Sequence, residues 1–136
     1  MYREPMPPPD SALDRAGMPV TVDDAEALAL YDDAIDALLR GAPHRRLIEC
    51  CLARAPTFAL AIAFRALTEP PGWPVPGWPP ATAGLTRRER QHLDVVEAVL
   101  TGDAGRASGL AAEHLLEFPG DRLIAVLAAG VRPTAL

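Results

Sequence analysis

A chain of 136 residues is long enough for one domain with its own hydrophobic core and short for two. Apolar residues make up 49% and charged residues 23%, which excludes a chain that is disordered throughout. A net charge of -5 argues against nucleic-acid binding, and no apolar run approaches the roughly 20 residues that cross a bilayer.

The N-terminal segment is rich in proline and has no helical period, so residues 1–20 are predicted to form a flexible tail. Residues 21–136 are predicted to form one helical domain, because alanine is abundant and aromatic residues make up only 5%. The start MYREPMPPPD lacks the apolar stretch of a secretion signal, which favours a cytoplasmic location.

Three helices are predicted in the first half of this domain. Thr21 is expected to cap the first, over 22–39, and Gly41 to end it. The second and third are predicted over 43–54 and 57–68. Since the third is apolar nearly all round, it is either the centre of the core or part of an interface.

Two features of these helices carry charge. Arg65 is the only charged residue of the third helix, so it must reach water, pair with an Asp of the first helix or bind a partner's carboxylate. The first helix carries an acidic run, which is either a solvated face or the complement of Arg45, Arg46 and Arg54 on the second.

The only cysteines, Cys50 and Cys51, are adjacent. Neighbouring side chains on a helix point about 100° apart, so the pair cannot share a metal, and both are predicted to be small core residues.

Residues 69–84 interrupt the helices with several prolines and a doubled PGWP, and are predicted to be an extended loop. Trp73 and Trp78 are expected to pack over a neighbouring helix; the alternative is a lid over a ligand or a partner-binding loop.

Three further helices follow the loop. Thr86 and Glu89 form a capping box that starts a helix ending at Thr101, and the next helix is predicted over 104–117. Asp121 is expected to cap a sixth helix, RLIAVLAAGV, which is apolar on nearly every side.

The corner Gly102-Asp103, the small residue Ala107 and the closing Pro119 resemble a tetratricopeptide repeat (TPR). More specifically, residues 17–39 and 85–129, with LARAPTFALAIAFRAL between them, resemble the tetratricopeptide repeat protein 38-like family. The resemblance implies an all-α fold of antiparallel helical hairpins, a TPR-like short α-solenoid of about six helices. It implies protein binding and transfers no catalytic residue.

The members of that family continue through more helices, and they generally carry another helix where this chain has the PGWP loop. The resemblance therefore implies that the sixth helix here exposes apolar surface that a following helix would otherwise cover.

Two histidines could lie at the same end of the fourth and fifth helices if these pair antiparallel. His92 and His114 with Glu89 or Glu113 would then form a metal site, but buried structural histidines are favoured because no third ligand stands at a fixed spacing. No catalytic, cofactor-binding or metal-binding residue is predicted.

The leading hypothesis is a non-catalytic module or accessory subunit that binds a second copy, as a homodimer, or a larger protein, for which a biosynthetic enzyme is one candidate. Its binding surface would be the third and sixth helices, including Leu123 and Leu127, with Arg65 and the acidic first helix setting the register. The alternative is a small-molecule-binding protein or enzyme, with a pocket beneath the Trp73/Trp78 loop. Tyr31, Arg65 and His92 would line that pocket.

Overall fold

The structure is a computed structural model that describes residues 11–69 and 75–133. Two short strands precede six helices in this part of the chain. The elements are β1 Ser11–Leu13, β2 Pro19–Thr21, α1 Ala25–Arg40, α2 Arg45–Arg54, α3 Ala59–Thr68, α4 Arg87–Leu100, α5 Ala104–Glu117 and α6 Arg122–Ala128. The described residues are mostly helical, as the composition predicts. None of these helices combines the length and apolar content that a bilayer crossing requires.

The strands β1 and β2 pair as an antiparallel hairpin. At its turn, Asp14 Oδ1 accepts the backbone N–H of Met18 at 2.9 Å, and Gly17 adopts a φ of 80°. Val20 in β2 is fully buried. The prediction of a flexible tail is therefore wrong from Ser11 onward. It relied on the proline content and missed the turn stabilised by Asp14 and the burial of Val20. The first ten residues lie outside the described part.

Helix ends follow the local capping chemistry. The capping box of Thr86 and Glu89 is present, and Gly41 ends α1 with a φ of 69°. The prediction that Thr21 caps α1 is wrong: Asp24 does so, because its carboxylate accepts a backbone N–H of the first turn while Thr21 belongs to β2. The helices α2 and α3 begin two residues later than predicted, and α5 has its predicted bounds.

Consecutive helices pack on one another from α1 to α6, and β2 packs on α4. All residues of α3 except Ile62 and Arg65 are buried. The Tyr31 ring of α1 lies 5.2 Å from the Phe58 ring and 6.5 Å from the Phe64 ring, centroid to centroid. Helix α3 is thus the centre of the core. Its assignment to an interaction surface is corrected, because the chain itself already covers that surface.

The acidic run of α1 is paired with arginines. Arg54 of α2 binds Asp24 at 3.2 Å, which agrees with the expected complement, whereas Arg15 and Arg122 both bind Asp36. The second of these contacts ties α6 to α1. The acidic residues of α1 therefore form ion pairs with other parts of the same chain and are not merely a solvated face.

Trp78 packs on α4, half-buried, and its Nε1 donates to Glu97 Oε1 at 3.3 Å. The prediction that the tryptophan packs over a helix therefore holds for Trp78, whereas Trp73 lies outside the described residues.

Cys51 is buried, its Sγ donates to a carbonyl of α1 at 3.2 Å, and burial raises its pKa to about 12. Cys50 is exposed, so its prediction as a core residue is wrong.

Candidate functional site

The first two turns of α4 place three polar side chains in the core. Arg88 is 2% exposed, and Glu89 and His92 are fully buried. Residues separated by four positions share a face of a helix, so Arg88 and His92 point in the same direction, toward the end of α5 and the start of α6. Burial of charged groups in this way requires partners of opposite charge.

The partner is Asp121, the N-cap residue of α6. Its Oδ2 accepts from Arg88 Nε at 2.9 Å and contacts His92 Nδ1 and His114 Nε2 at 2.8 Å each. Its Oδ1 faces the backbone N–H of Ile124 at 3.4 Å. One buried carboxylate therefore joins α4, α5 and α6 at a single point, which we call the Asp121 cluster, comprising Asp121, Arg88, His92 and His114.

The hairpin binds the same region of α4. Arg88 Nη2 contacts Asp14 Oδ2 at 3.2 Å, and Arg88 Nη1 donates to the Pro19 carbonyl at 3.2 Å. Thr21 donates its backbone N–H to Glu89 Oε2 at 3.0 Å and its hydroxyl to Oε1 at 2.6 Å. The guanidinium thus lies between two carboxylates that are distant in sequence, and the hairpin covers the cluster.

The electrostatics of the cluster favour an ionised Asp121 and a neutral His92. Burial by itself raises the pKa of Asp121, but His92, His114 and Arg88 together hold it well below its usual range. Burial lowers the pKa of His92 against the opposing attraction of Asp121. Neutral His92 donates Nδ1–H to Asp121, and its Nε2 has no hydrogen-bond partner within the described residues.

Gln91 orders the outer side of His114. With its amide nitrogen toward the ring, it donates to His114 Nδ1 at 2.9 Å, and its oxygen accepts from Arg87 Nε at 3.2 Å. His114 then carries its proton on Nε2 and donates it to Asp121. With this assignment, Arg88, His92 and His114 each donate one N–H to Asp121 Oδ2.

The cluster also contains the side chains of a metal site, since the ligand atoms of His92, His114 and Asp121 lie within 4.8 Å of one another. Each imidazole contact, however, has the length of a hydrogen bond, and Arg88 binds the same carboxylate oxygen. A divalent cation there would have to displace two N–H donors beside a buried guanidinium. The residues fit a hydrogen-bonded ionic junction better than a metal centre.

The two histidines meet as the antiparallel pairing of helices predicts, with ring centroids 6.4 Å apart. The sequence does not predict that Asp121 is the carboxylate that joins these two histidines. Glu89 binds Thr21, and Glu113 is exposed, whereas Asp121 was expected only to cap a helix. The sequence did contain one indication of a buried carboxylate: Arg88 lies one turn before His92 on the same face of α4, and a buried arginine needs a partner of opposite charge.

Several predicted partner- or ligand-binding residues lie in the core. Tyr31 and Leu123 are 2% and 1% exposed, so their assignment to a binding surface is corrected: neither can reach a partner. Arg65 is exposed and forms no ion pair with the described residues, so it reaches water. Since Tyr31 and His92 are buried and Arg65 faces outward, these three do not line one open pocket. Leu127 is half-buried at the surface of α6.

The outward side of α6 is apolar and is not covered by any described residue. Ala125, Ala128 and Ala129 are exposed there. A groove of about 500 Å³ separates α6 from the end of α1, and one of about 240 Å³ separates it from α5. Residues that line the first include Leu38, Leu39, Val126 and Val131, and residues that line the second include Ala104, Ala107, Ser108, Leu127, Ala128 and Arg132. We call the outward side of α6 with these two grooves the α6 face.

Comparison of the chain with protein-family models, with curated proteins and with solved structures gave no match.

Proposed function

We propose that this chain is a non-catalytic, TPR-like helical module that binds protein through the α6 face. The observation that carries the proposal is the pair of apolar grooves beside α6. Leu39 is 48% and Val131 56% exposed at the α1 side, next to the exposed alanines of α6. Contiguous apolar surface of this kind marks interaction sites in folded proteins.

The TPR-like part of the proposal rests on packing order and on the sequence resemblance. Each helix from α1 to α5 has the following helix packed against it, as in an α-solenoid, whereas no described helix follows α6. We also propose a cytoplasmic location, which the free thiols of Cys50 and Cys51 support.

The occupant proposed for the α6 face is an amphipathic helix of a partner protein. The α5 side of the groove is built from small residues, among them Ala104 and Ser108, so the backbone of another helix can approach closely. A helix that lies in an apolar groove with its own apolar stripe inward is a common mode of peptide recognition. An accessory subunit of a biosynthetic enzyme would use its surface in this way.

The test uses a fluorescent helical peptide of about 18 residues with a Leu/Ala stripe and Gln elsewhere, long enough to form a helix on binding. Anisotropy should show saturable binding to the full chain. Ala128→Glu, which places a charge in the groove, should weaken binding by at least about tenfold because that charge must be desolvated. Ala53→Glu, the same change at an exposed position of α2, should leave binding unchanged.

Sedimentation velocity of the chain alone identifies a different occupant. Self-association that Ala128→Glu abolishes would mean that a second copy occupies the α6 face, which keeps the binding function and makes the chain a homodimer. Absence of both self-association and peptide binding would overturn the proposal. The small-molecule alternative is not favoured, because its proposed lining residues are not brought together.

A further inference from the structure

We infer that the α6 face selects a partner helix with carboxylates beside its apolar stripe. The inference rests on the proposed function and adds the charge of the partner. Among the described residues that line the two grooves, the charged ones are Arg122 and Arg132, and none is acidic. This is the opposite of the whole chain, in which 18 acidic residues outnumber 13 basic ones.

The two arginines differ in what they can offer. Arg122 binds Asp36 and lies 3.7 Å from Asp32, so its charge is already balanced within the fold. Arg132 lines the α5 side of the α6 face, is exposed, and forms no ion pair with any residue that the structure describes. A carboxylate on the bound helix would therefore meet a guanidinium for which no described residue competes.

Two carboxylates near the α6 face, Asp36 and Asp103, already have partners within the fold. Asp36 is shared between Arg15 and Arg122. Asp103 stands beside the groove residue Ala104, and its Oδ1 accepts the backbone N–H of Arg106 at 3.1 Å as the N-cap of α5. Neither is positioned by these contacts to neutralise Arg132. Of the two charged residues that line the grooves, Arg132 is therefore the one whose charge no ion pair with a described residue balances.

Charge next to an apolar groove acts on specificity more than on total affinity. The apolar stripe would provide most of the binding, and Arg132 would distinguish helices by the sign of their flanking charges. Exposed ion pairs are weak, so a change of one flanking residue is expected to alter affinity by only about twofold to fivefold at low salt. The effect should diminish as salt rises.

The experiment compares two labelled peptides that share the Leu/Ala stripe, one with Glu and one with Lys at the flanking positions. The full chain should bind the Glu peptide about threefold to tenfold more tightly. Arg132→Glu should reverse that order, and Arg132→Gln should nearly abolish the difference. A reversal of preference cannot arise from partial unfolding, which would weaken both peptides together.

Arg46→Glu is the matched control, because Arg46 is an exposed residue of α2 and the change alters the net charge equally. The control should keep the preference for Glu. Equal binding of the two peptides by the unmodified chain, or an equal shift in Arg46→Glu and Arg132→Glu, would overturn the charge inference while the binding function stands. Absence of binding by every peptide, including the neutral one, would instead remove the proposed function.

Discussion

Arg88 and Asp121 meet in the core with 2.9 Å between Nε and Oδ2, and their side chains are 2% and 1% exposed. The two residues are 33 positions apart in sequence. Because Asp121 also accepts from two histidines and Arg88 also binds Asp14, neither charge is left without a partner of opposite sign. This junction holds the hairpin and three helices in one unit.

Replacing Asp121 with Asn should be strongly destabilising. The side chain keeps its shape and its capping ability, but the buried guanidinium loses its closest counter-charge, for which we expect a loss of about 3–5 kcal/mol in the free energy of unfolding. Asp14→Asn should cost less, because Arg88 then retains Asp121. Urea unfolding followed by circular dichroism measures both.

Asp103→Asn is the control for this pair. Asp103 is likewise a helix N-cap, but it is exposed, so the change should cost under about 0.5 kcal/mol. Equal costs for Asp103→Asn and Asp121→Asn would mean that capping alone explains Asp121.

The free energy of unfolding should decrease as the pH falls from about 6.5, the usual pKa of histidine. Burial keeps the pKa of His92 lower in the folded chain, so the unfolded state binds a proton first and is stabilised by it. The loss continues until the pH reaches the lower, folded pKa. Urea titrations between pH 8 and about pH 5 measure it before Asp and Glu side chains titrate.

His92→Asn separates this effect from the other titrating groups. Its amide can donate to Asp121 in place of Nδ1–H, but it binds no proton in this range. The variant should therefore show a flatter pH dependence above about pH 5. An unchanged slope would assign the dependence to another group. Below that pH, the lowered pKa of Asp121 and the burial-raised pKa of Asp32 act in opposite directions.

Removing the Thr21 hydroxyl should loosen the hairpin without unfolding the helices. Thr21→Val preserves shape but removes one hydrogen bond to Glu89 Oε1, which still accepts the Thr86 backbone N–H, so the cost should be about 0.5–1.5 kcal/mol. Hydrogen exchange should accelerate in β1 and β2 more than in α3. Thr101→Val, which removes an exposed hydroxyl bonded to its own helix, should leave hairpin exchange unchanged.

Gly120 marks where the hairpin approaches the turn between α5 and α6. A Cβ there would lie 2.8 Å from Met18 Cε and 3.1 Å from the Ala16 carbonyl oxygen, so Gly120→Ala should destabilise the fold. Adding Met18→Ala should recover part of the loss.

Gly109→Ala, in the middle of α5 and in open space, should instead stabilise by roughly 0.5–1 kcal/mol because of helix propensity. Thermal unfolding of the three variants measures whether each substitution raises or lowers the melting temperature. A neutral Gly120→Ala would mean that the hairpin does not hold this close approach.

Local signals predicted much of the helical structure. The capping box at Thr86, the corner before α5 and the glycine that ends α1 depend on nearby residues, and their positions were predicted correctly. The meeting of His92 and His114 follows from the pairing of two adjacent helices, so it too could be predicted from the sequence.

Local sequence signals do not predict the hairpin or the role of Asp121. Asp14 and Arg88 are 74 positions apart, and nothing local to either residue indicates that they meet. Asp121 satisfies the pattern of a helix cap, which conceals its second use as a counter-charge. Similarly, the apolar surface of α3 indicates burial but cannot distinguish the chain's own core from an interface.

The order in which the partners of Arg88 are synthesised has a consequence for folding. Asp14 is made long before α4, so the hairpin cannot dock until Arg88 has left the ribosome, and Asp121 follows later still. Contacts of such long sequence separation form late because loop closure must precede them. During synthesis, the undocked hairpin is available to chaperones until α4 emerges, and the Arg88 guanidinium remains solvated until Asp121 and α6 arrive.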